Sequence, residues 1–249
     1  MYSLKKSLGQ HFLKDESVSE RVVKSLQSFD FTNLLEVGPG GGALTKYLLQ
    51  LPVQLKCVEV DEEKVAWLLK TYPLLEGKLI QGDILDIEPP FPDSFMIVGN
   101  FPYNISSQIL FKILEWKQQV QGMIGMFQKE VAQRVAAAEG SKVYGVTSVL
   151  IQAFFEVDYL FEVDESAFTP PPKVKSAVIA LRPKSVHVEM KSERALFVLV
   201  KTAFNQRRKT LRNAVKSLFD PEALQDEIFN KRAEQLSVTD FGMLTFKMK

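Results

Sequence analysis

Cysteine and histidine are scarce in this chain, which has one cysteine, Cys57, and two histidines among its 249 residues. A single cysteine excludes an internal disulfide framework and suits a reducing compartment. Dedicated zinc sites combine several cysteine or histidine ligands, so we expect no metal site. The composition therefore argues against disulfide-rich secreted proteins and zinc-dependent enzymes.

Long apolar runs are also missing. No run approaches the roughly 20 residues that cross a bilayer, and the first residues, MYSLKKSLGQHFLKDES, lack the apolar stretch of a secretory signal. We therefore expect a cytoplasmic protein with no membrane partner. Apolar residues still make up 46% of the chain and charged residues 24%, which is typical of a soluble globular protein with a sizeable core.

Net charge is nearly absent as well, at +1, but the charge is unevenly distributed. Residues 184–249 contain 13 Lys and Arg against 8 Asp and Glu, a net charge of +5, which leaves −4 on the remainder. An acidic body with a basic C-terminal region suits a polyanion that docks at one end.

Short apolar runs alternate with amphipathic segments through the first 130 residues. The predicted strands are NLLEVG, LKCVEV, KLIQGD, SFMIVGN and VQGMIGMFQ, and the predicted helices are GALTKYLLQL, DEEKVAWLLKTY, SSQILFKILEW and KEVAQRVAAAEG. This alternation predicts an α/β fold, with a parallel sheet and helices on both faces. Two further runs, VLIQAFFEVDYLFEV and SAVIALRP, are predicted as strands added at the edge of the sheet.

The sequence changes character after Pro183, where β-branched runs end and about three helices are predicted. One of them is ALFVLVKTAFNQRRKTLRNAVKSLF. We therefore expect two domains, a sheet-containing domain at residues 1–183 and a small helical domain at residues 184–249. The second is too short to bury much surface alone and should pack on the main body.

A glycine-rich loop, LLEVGPGGGALTKYLL, joins the first predicted strand to a helix. The spacing Gly38-x-Gly40-x-x-Ala43 satisfies the fingerprint of dinucleotide sites, and Glu59 follows Gly38 by 21 residues, where a carboxylate can accept both hydroxyls of a ribose. The helix that follows presents free N–H groups to an anion. The loop therefore predicts a cofactor that contains a nucleoside.

Two further acids bear on which cofactor this is. Glu36 lies two residues before the loop, and Asp83 follows the third strand. These acids suit S-adenosylmethionine, which has a ribose, an adenine amino group and a cationic centre. A nicotinamide dinucleotide would place its pyrophosphate at the same helix, where the acids repel it. The residues favour the sulfonium cofactor and leave a nicotinamide-dependent oxidoreductase as an alternative.

The segment IVGNFPYNIS ends the fourth predicted strand, at the edge where such sheets bind ligands. The side-chain carbonyl of Asn100 and the main-chain carbonyl of Phe101 can accept the two hydrogens of an exocyclic amine. Pro102 removes a competing N–H, and Tyr103 can stack on the base. The segment thus predicts an amine held for methylation by positioning, without a strong base. The alternative is a polar turn capped by aromatic residues.

The NFPY segment resembles the N-[L/F]-P-Y motif of the ribosomal RNA adenine dimethyltransferases. Other segments resemble this family in the same order over nearly the whole chain: SLGQHFLKD, LEVGPGGGALT, VEVD, QGDILD, MFQKEVAQRVAA, SKVYGVTSVL, SAFTPPPKVKSAVIAL and FNQRRKTLRN. Within the family, the sequence is most similar to the bacterial small-subunit (16S) branch.

The resemblance implies a Rossmann-like class I SAM-dependent methyltransferase sheet with a small C-terminal all-helical domain. It implies dimethylation of N6 of two adjacent adenosines near the 3′ end of 16S rRNA, with S-adenosyl-L-methionine as cofactor. The implied cofactor contacts are His11, Leu13, Gly38, Gly40, Glu59, Asp83 and Asn100, and the implied catalytic residues are Asn100, Phe101, Pro102 and Tyr103. His11 replaces an asparagine common in the family, and its alternative role is to anchor the N-terminal arm together with Phe12. Phe168 either flanks the base or packs in the core.

The basic segment FNQRRKTLRNAVKS supplies the expected RNA contacts. Arg208 and Arg212 are four residues apart, on one face of the predicted helix, with Lys201, Arg207 and Lys209 nearby. Contact with rRNA phosphates is the hypothesis, and a solvated helix face is the alternative. The expected partner is 16S rRNA within the small ribosomal subunit or its precursor, bound by a monomer. Two other functions remain open, a large-subunit dimethyltransferase of the macrolide-resistance type and a non-catalytic RNA-binding assembly factor.

Overall fold

The computed structural model describes residues 11–249. Its strands are β1 (Phe12–Leu13), β2 (Asn33–Val37), β3 (Gln54–Glu59), β4 (Leu79–Gln81), β5 (Phe95–Asn100), β6 (Val120–Gln128), β7 (Phe155–Val163), β8 (Phe168–Thr169) and β9 (Ser176–Pro183). Its α-helices are α1 (Glu16–Ser25), α2 (Thr45–Leu48), α3 (Glu62–Thr71), α4 (Ser106–Glu115), α5 (Lys129–Val135), α6 (Val146–Gln152), α7 (Glu193–Asn205), α8 (Leu211–Ala214) and α9 (Val238–Thr245). None of the helices in this part of the chain is both long enough and apolar enough to cross a membrane.

The central feature is a seven-stranded sheet with the order β4-β3-β2-β5-β6-β9-β7. The strands from β4 to β6 are parallel, and β9 pairs antiparallel with β6. An antiparallel strand begins at the edge where its parallel neighbours end, so the start of β9 lies at the ligand-binding edge. A separate two-stranded ribbon pairs β1 with β8.

The parallel strands form because their apolar residues are buried on both faces, as the sequence predicted. All five residues of β2 are buried, and the core on one face includes Leu34, Met96, Val98 and Ile124. The predicted alternation is thus confirmed from β2 to α5. Aspartate caps start two of the helices, because Asp15 accepts from Ser17 N–H and Asp61 accepts from Glu63 N–H.

The chain divides into two compact units. The first contains the described residues through Ala132 and Asp158–Pro183, and the second contains Gln133–Val157 and Lys184–Lys249. The sequence expectation placed residues 133–157 in the sheet domain. They belong to the helical unit because α6 packs against α7 and α9, and the Lys184 N–H donates to the Phe154 carbonyl at 2.9 Å.

Two predicted elements were wrong. The first four residues of VLIQAFFEVDYLFEV end the helix α6, and the strand β7 begins only at Phe155. A short, mainly apolar run has no periodicity that separates a buried helix from a buried strand. The long C-terminal helix is also interrupted, because α7 ends at Asn205 and α8 begins at Leu211.

Candidate active site

A cavity of about 220 Å³ lies in the first unit, where its walls come from residues that follow β2, β3, β4 and β5. The N-terminal arm (residues 11–13) supplies a further wall. The structure brings together every residue that the sequence assigned to the cofactor or to the NFPY segment (residues 100–103): His11, Leu13, Gly38, Gly40, Glu59, Asp83, Asn100, Phe101, Pro102 and Tyr103.

The glycine loop wraps one side of the cavity. Gly38, Gly40 and Gly42 have φ values of 67°, 55° and 77°, a region that residues with a Cβ rarely adopt. The Gly40 N–H donates to Glu59 Oε2 at 3.1 Å, and the Asp61 N–H donates to Glu59 Oε1 at 3.1 Å. Both carboxylate oxygens of Glu59 are therefore held in place at the cavity wall before any ligand binds.

Glu36 lies behind the loop with 1% of its surface exposed. Its Oε2 accepts from the Thr45 hydroxyl at 2.7 Å and from the Cys57 thiol at 3.5 Å. Burial raises the pKa of Glu36 from 4.5 to about 7, with a smaller contribution from the charge of Glu59 and against the opposing effect of these two hydrogen bonds. Near neutral pH, Glu36 is thus divided between its neutral and charged forms.

The third acid, Asp83, follows β4 and accepts from the Leu85 N–H at 2.9 Å. Glu36, Glu59 and Asp83 all line the cavity. Hydroxyl and amino groups of a nucleoside can donate to these carboxylates, and a sulfonium or ammonium group is attracted by them. A pyrophosphate would be repelled, so the donor set fits S-adenosylmethionine.

The NFPY segment faces the cavity from the end of β5. Asn100 Nδ2 donates to the His11 carbonyl at 3.3 Å, which uses the donor end of the amide. Within the described residues no donor reaches Asn100 Oδ1. The next carbonyl, that of Phe101, precedes Pro102, which has no N–H. Two acceptor oxygens in succession are therefore available to an amine.

Phe101 fixes the height of this segment on the sheet. Its N–H donates to the Met126 carbonyl at 3.1 Å, which extends the pairing of β5 with β6. Its ring is buried and packs on Phe127, with the ring centroids 4.9 Å apart. Gly99 and Gly125 are paired directly beneath the ring, and a Cβ added to either would approach it within 2.8 Å and 2.4 Å.

Tyr103 is held at both ends. Its hydroxyl lies 2.5 Å from Ser176 Oγ, and its ring stacks on His11 with the centroids 5.4 Å apart and the planes at 30°. Burial raises the pKa of Tyr103, so its phenol is neutral at physiological pH. His11 is itself anchored, because its Nδ1 lies 2.8 Å from the Pro170 carbonyl oxygen.

Phe168 has only 1% of its surface exposed and belongs to the core, where β8 pairs with β1. It does not line the cavity in this structure, so of its two expected positions the structure shows core packing.

Sequence reasoning missed Lys64 and treated Phe12 only as an anchor. Lys64 lines the cavity with 3% of its surface exposed, and its Nζ lies 4.9 Å from the centroid of the Phe12 ring. A lysine on an amphipathic helix is ordinarily predicted to be exposed. The available signal was its position three residues after Asp61, on the same helix face as the cap.

The basic residues lie in the second unit and fall into two groups. Arg207 Nη2 donates to the carbonyls of Lys142 and Tyr144 at 2.6 and 2.9 Å, and Arg212 Nε donates to the Leu224 carbonyl at 3.0 Å. The side chains of Arg208 and Lys209 are exposed and make no hydrogen bond or ion pair with other described residues.

The predicted helical face that carries Arg208 and Arg212 is wrong, because the break after Asn205 leaves Arg208 in a loop and Arg212 in α8. Lys201 is exposed on α7, with its Nζ 4.8 Å from the Phe197 ring centroid. Within residues 11–249 no cluster of three or more His, Cys, Asp and Glu could hold a metal ion.

The sheet order, the glycine loop and the acids at successive strand ends define a class I methyltransferase. The sequence model of the family described as "Ribosomal RNA adenine dimethylase" matches residues 1–244, and the chain belongs to this family.

Relatives and solved structures agree with this assignment. A "Ribosomal RNA small subunit methyltransferase A" from Flavobacterium johnsoniae is 49% identical over 98% of this chain and 95% of its own length. The protein of the same name from Cytophaga hutchinsonii is 50% identical over 97% and 95%. The crystal structure of a dimethyladenosine transferase from Plasmodium falciparum superposes with a TM-score of 0.78 at 25% identity, over 93% of this chain and 94% of that one. The 23S rRNA methyltransferase ErmE shares the fold, with a TM-score of 0.71 at 24% identity over 94% of this chain and 99% of that one.

Proposed function

We propose that this protein transfers methyl groups from S-adenosyl-L-methionine to N6 of two adjacent adenosines near the 3′ end of 16S rRNA, two to each, and so contributes to small-subunit biogenesis. The observation that carries the chemistry is the pair of acceptor oxygens on Asn100 and Phe101 at the cavity. The relatives named as small-subunit methyltransferases, at 49% and 50% identity, support the choice of RNA.

The chain acts on the target base through its acceptors. Asn100 Oδ1 and the Phe101 carbonyl accept the two hydrogens of the adenine amine, which directs the nitrogen lone pair away from the ring plane. Tyr103 stacks on the base, a contact worth roughly 1–3 kcal/mol. When bound, S-adenosylmethionine supplies an electrophilic methyl group on its sulfonium. Catalysis then rests on positioning and electrostatics, and the methylated amine, which is cationic, gives its proton to solvent water without a dedicated base.

The same acceptors serve the second transfer. A singly methylated amine retains one N–H, and either oxygen can accept it while the other faces the methyl group. The paired acceptors therefore suit dimethylation.

We assign the cofactor to the carboxylates and the loop. Glu59, held by Gly40 and Asp61, accepts the ribose hydroxyls. Asp83 accepts from the adenine amino group of the cofactor, and the carboxylate of Glu36 attracts the cationic end of the cofactor. His11, Leu13 and Gly38 complete the walls that exclude water.

We assign rRNA docking to the C-terminal helical region at residues 184–249, whose net charge is +5. Arg208, Lys209 and Lys201 are the candidate phosphate contacts, because their side chains are exposed. The target adenosines must be unstacked to reach Tyr103. The protein acts as a cytoplasmic monomer on 16S rRNA in the small subunit or its precursor.

Methyl transfer to 16S and 23S rRNA tests the function directly. Purified protein is incubated with labelled S-adenosylmethionine and either small-subunit particles or large-subunit rRNA, and the modified nucleosides are identified by mass spectrometry. We expect N6,N6-dimethyladenosine at two adjacent positions of 16S rRNA. Label only in large-subunit rRNA, or in neither, contradicts the proposal.

Asn100→Ala tests the acceptor role. We expect kcat to fall about a hundredfold or more, as when one preorganised polar group is removed from a transition state, while the Kd for S-adenosylmethionine changes within about twofold. Single-turnover kinetics and calorimetry measure the two quantities. Asn100→Asp, which keeps an acceptor oxygen, should retain more activity than Asn100→Ala. Asn230→Ala, at an exposed amide of the second unit, is the matched control. Near-normal turnover of Asn100→Ala would remove Asn100 from its role.

A further inference from the structure

The hydroxyl of Ser176 is buried at the ligand-binding edge, where no cofactor or substrate role has been assigned to it. Ser176 is the first residue of β9 and has none of its surface exposed. Because β9 is antiparallel to β6, its first residue lies beside the last residue of β6, Gln128. This edge is the one that carries the NFPY segment.

The main chain around Ser176 is fixed. Ser176 pairs with Gln128 in the sheet, and the Lys129 N–H donates to the Lys175 carbonyl at 2.8 Å. A hydroxyl group on such a strand has a well-defined position, whereas one on a mobile loop does not.

The hydroxyl of Ser176 is used by Tyr103, whose Oη lies 2.5 Å away. The main chain of Tyr103 is fixed separately, since the Ser106 hydroxyl contacts the carbonyls of Pro102 and Tyr103 at 3.2 and 3.1 Å. With its backbone held by Ser106 and the far end of its ring held by Ser176, the side chain of Tyr103 has little rotational freedom left. His11 already covers one face of the ring, so a base that stacks on Tyr103 must use the opposite face or displace His11.

We propose that Ser176 is a positioning residue for methyl transfer, which sets the ring plane of Tyr103 so that the target adenine is stacked at the correct angle to the Asn100 and Phe101 acceptors. This inference rests on the proposed function. A tyrosine without the distal hydrogen bond can rotate about its side-chain torsions, and the base that stacks on it rotates with it. We expect the effect on kcat, because a small misplacement of the amine reduces the stabilisation of the transition state more than it reduces substrate binding.

A double-mutant cycle on the hydroxyl pair tests the proposal. Ser176→Ala and Tyr103→Phe each delete the same hydrogen bond, the first from the strand and the second from the ring, which keeps its stacking surface. We expect each single variant to lower kcat about five- to tenfold, the range that one hydrogen bond accounts for, with the Kd for S-adenosylmethionine within about twofold of the wild type. The double variant should be no slower than either single variant, because the interaction is lost only once.

A stacking readout separates positioning from general stability. With 2-aminopurine in place of the target adenine in a 16S fragment, we expect the fluorescence to be quenched on the wild-type protein and less quenched on Ser176→Ala. Ser148→Ala is the matched control, because Ser148 is also fully buried and its hydroxyl lies 2.5 Å from the Arg134 carbonyl in the second unit. This control should lower the melting temperature and leave kcat and quenching unchanged.

Three results would overturn the inference. They are a wild-type kcat in Ser176→Ala, a loss of kcat in the double variant equal to the product of the two single losses, and equal fluorescence quenching in Ser176→Ala and the wild type. Should Ser176→Ala fail to fold, Tyr103→Phe alone still decides, because it leaves the core untouched and must show the same loss. A wild-type protein that transfers no methyl group would overturn the proposed function and this inference together. Turnover that Ser176→Ala leaves intact would overturn this inference alone.

Discussion

At the scale of single residues, the buried carboxyl group of Glu36 departs clearly from its behaviour in water. It shares the face of β2 with the apolar core residue Leu34, where a carboxylate is poorly solvated. The Cys57 thiol beside it stays protonated, because burial and the Glu36 charge raise the pKa of the thiol. Glu36 is therefore a carboxyl group whose charge near neutral pH depends on what enters the cavity.

The raised pKa of Glu36 predicts a pH-dependent stability. The folded protein binds one more proton than the unfolded chain between pH 4.5 and about 7. Stability from this group is therefore fully present below pH 4.5 and lost as the pH rises through 7, with a total change of about 3 kcal/mol. Glu36→Gln removes this titration and keeps an oxygen for Thr45, so the variant should be more stable than the wild type at pH 8 and similar at pH 4.5.

Urea unfolding at pH 4.5, 6 and 8 measures the free energy of unfolding for this comparison. Glu88→Gln, which changes an exposed carboxylate, should keep the pH dependence of the wild type. Equal pH dependence in Glu36→Gln and the wild type would show that Glu36 does not titrate in this range.

The residues of the site differ in how far the sequence alone could place them. Glu59, Asp83 and Asn100 could be predicted because each lies at or just after the end of a strand, and the ends of parallel strands meet at one edge. Ser176 could not, because its position depends on how β9 packs against segments far away in the chain. Lys64 had a local signal in its place on the helix face of Asp61, but the burial of its side chain depends on how α3 packs. The local sequence pattern predicts where the strands end, and tertiary packing decides which other side chains lie beside those strand ends.

At the scale of elements, the paired glycines of β5 and β6 support the NFPY segment. Gly99 and Gly125 lie opposite each other, and the absence of side chains leaves the space that the Phe101 ring fills. The ring then sets the height at which the Phe101 carbonyl stands above the sheet. The glycines thus shape the cavity wall although neither of them lines the cavity.

Gly125→Ala should disturb this arrangement. The added Cβ would lie 2.4 Å from the Phe101 ring and 2.7 Å from the Phe127 ring, so we expect a loss of about 1–3 kcal/mol in stability and a lower kcat. Thermal unfolding and methyl-transfer assays measure the two effects. Gly145→Ala is the control, since the nearest atom to its added Cβ is 3.9 Å away. A Gly125→Ala protein with unchanged melting temperature and turnover would show that Phe101 does not depend on this space.

The elements also show where sequence patterns fail. Strands flanked by glycine or polar turns, such as β2 and β5, were predicted correctly, because both their short length and their flanking residues indicate a strand. The run VLIQAFF was misassigned because every residue is compatible with either a buried helix or a buried strand, and only packing of α6 on α7 decides. The break at Asn205 was missed because helix-favouring residues continue through it. The break accompanies a tertiary contact that sequence does not reveal, in which Arg207 bonds to the carbonyls of residues 142 and 144.

At the scale of the whole molecule, the basic C-terminal region predicts binding that depends strongly on salt. Each phosphate contact contributes roughly 0.7–0.9 to the slope of log K against log salt concentration. Arg208→Ala combined with Lys209→Ala should weaken rRNA binding and reduce the magnitude of this slope by about 1–2, with no loss of melting temperature. Fluorescence anisotropy of a 16S 3′ fragment between about 50 and 200 mM salt provides the measurement.

Arg207→Ala is the contrasting variant, because Arg207 bonds to two main-chain carbonyls in its own unit. It should lower the melting temperature and leave the salt slope nearly unchanged. The opposite pattern, a flattened slope for Arg207→Ala and none for the Arg208 and Lys209 pair, would reverse the assignment of structural and RNA-binding arginines.

The ribbon of β1 and β8 has a consequence for how the protein is made. His11 touches Asn100 and Pro170, which follow it by 89 and 159 residues, and β1 pairs with β8. A nascent chain that ends before Phe168 thus has the glycine loop and Asn100, but it lacks β8 and Pro170, which hold residues 11–13 at the cavity wall. Affinity for the methyl donor should arise late in translation, once the ribosome has completed most of a chain that will later modify ribosomes.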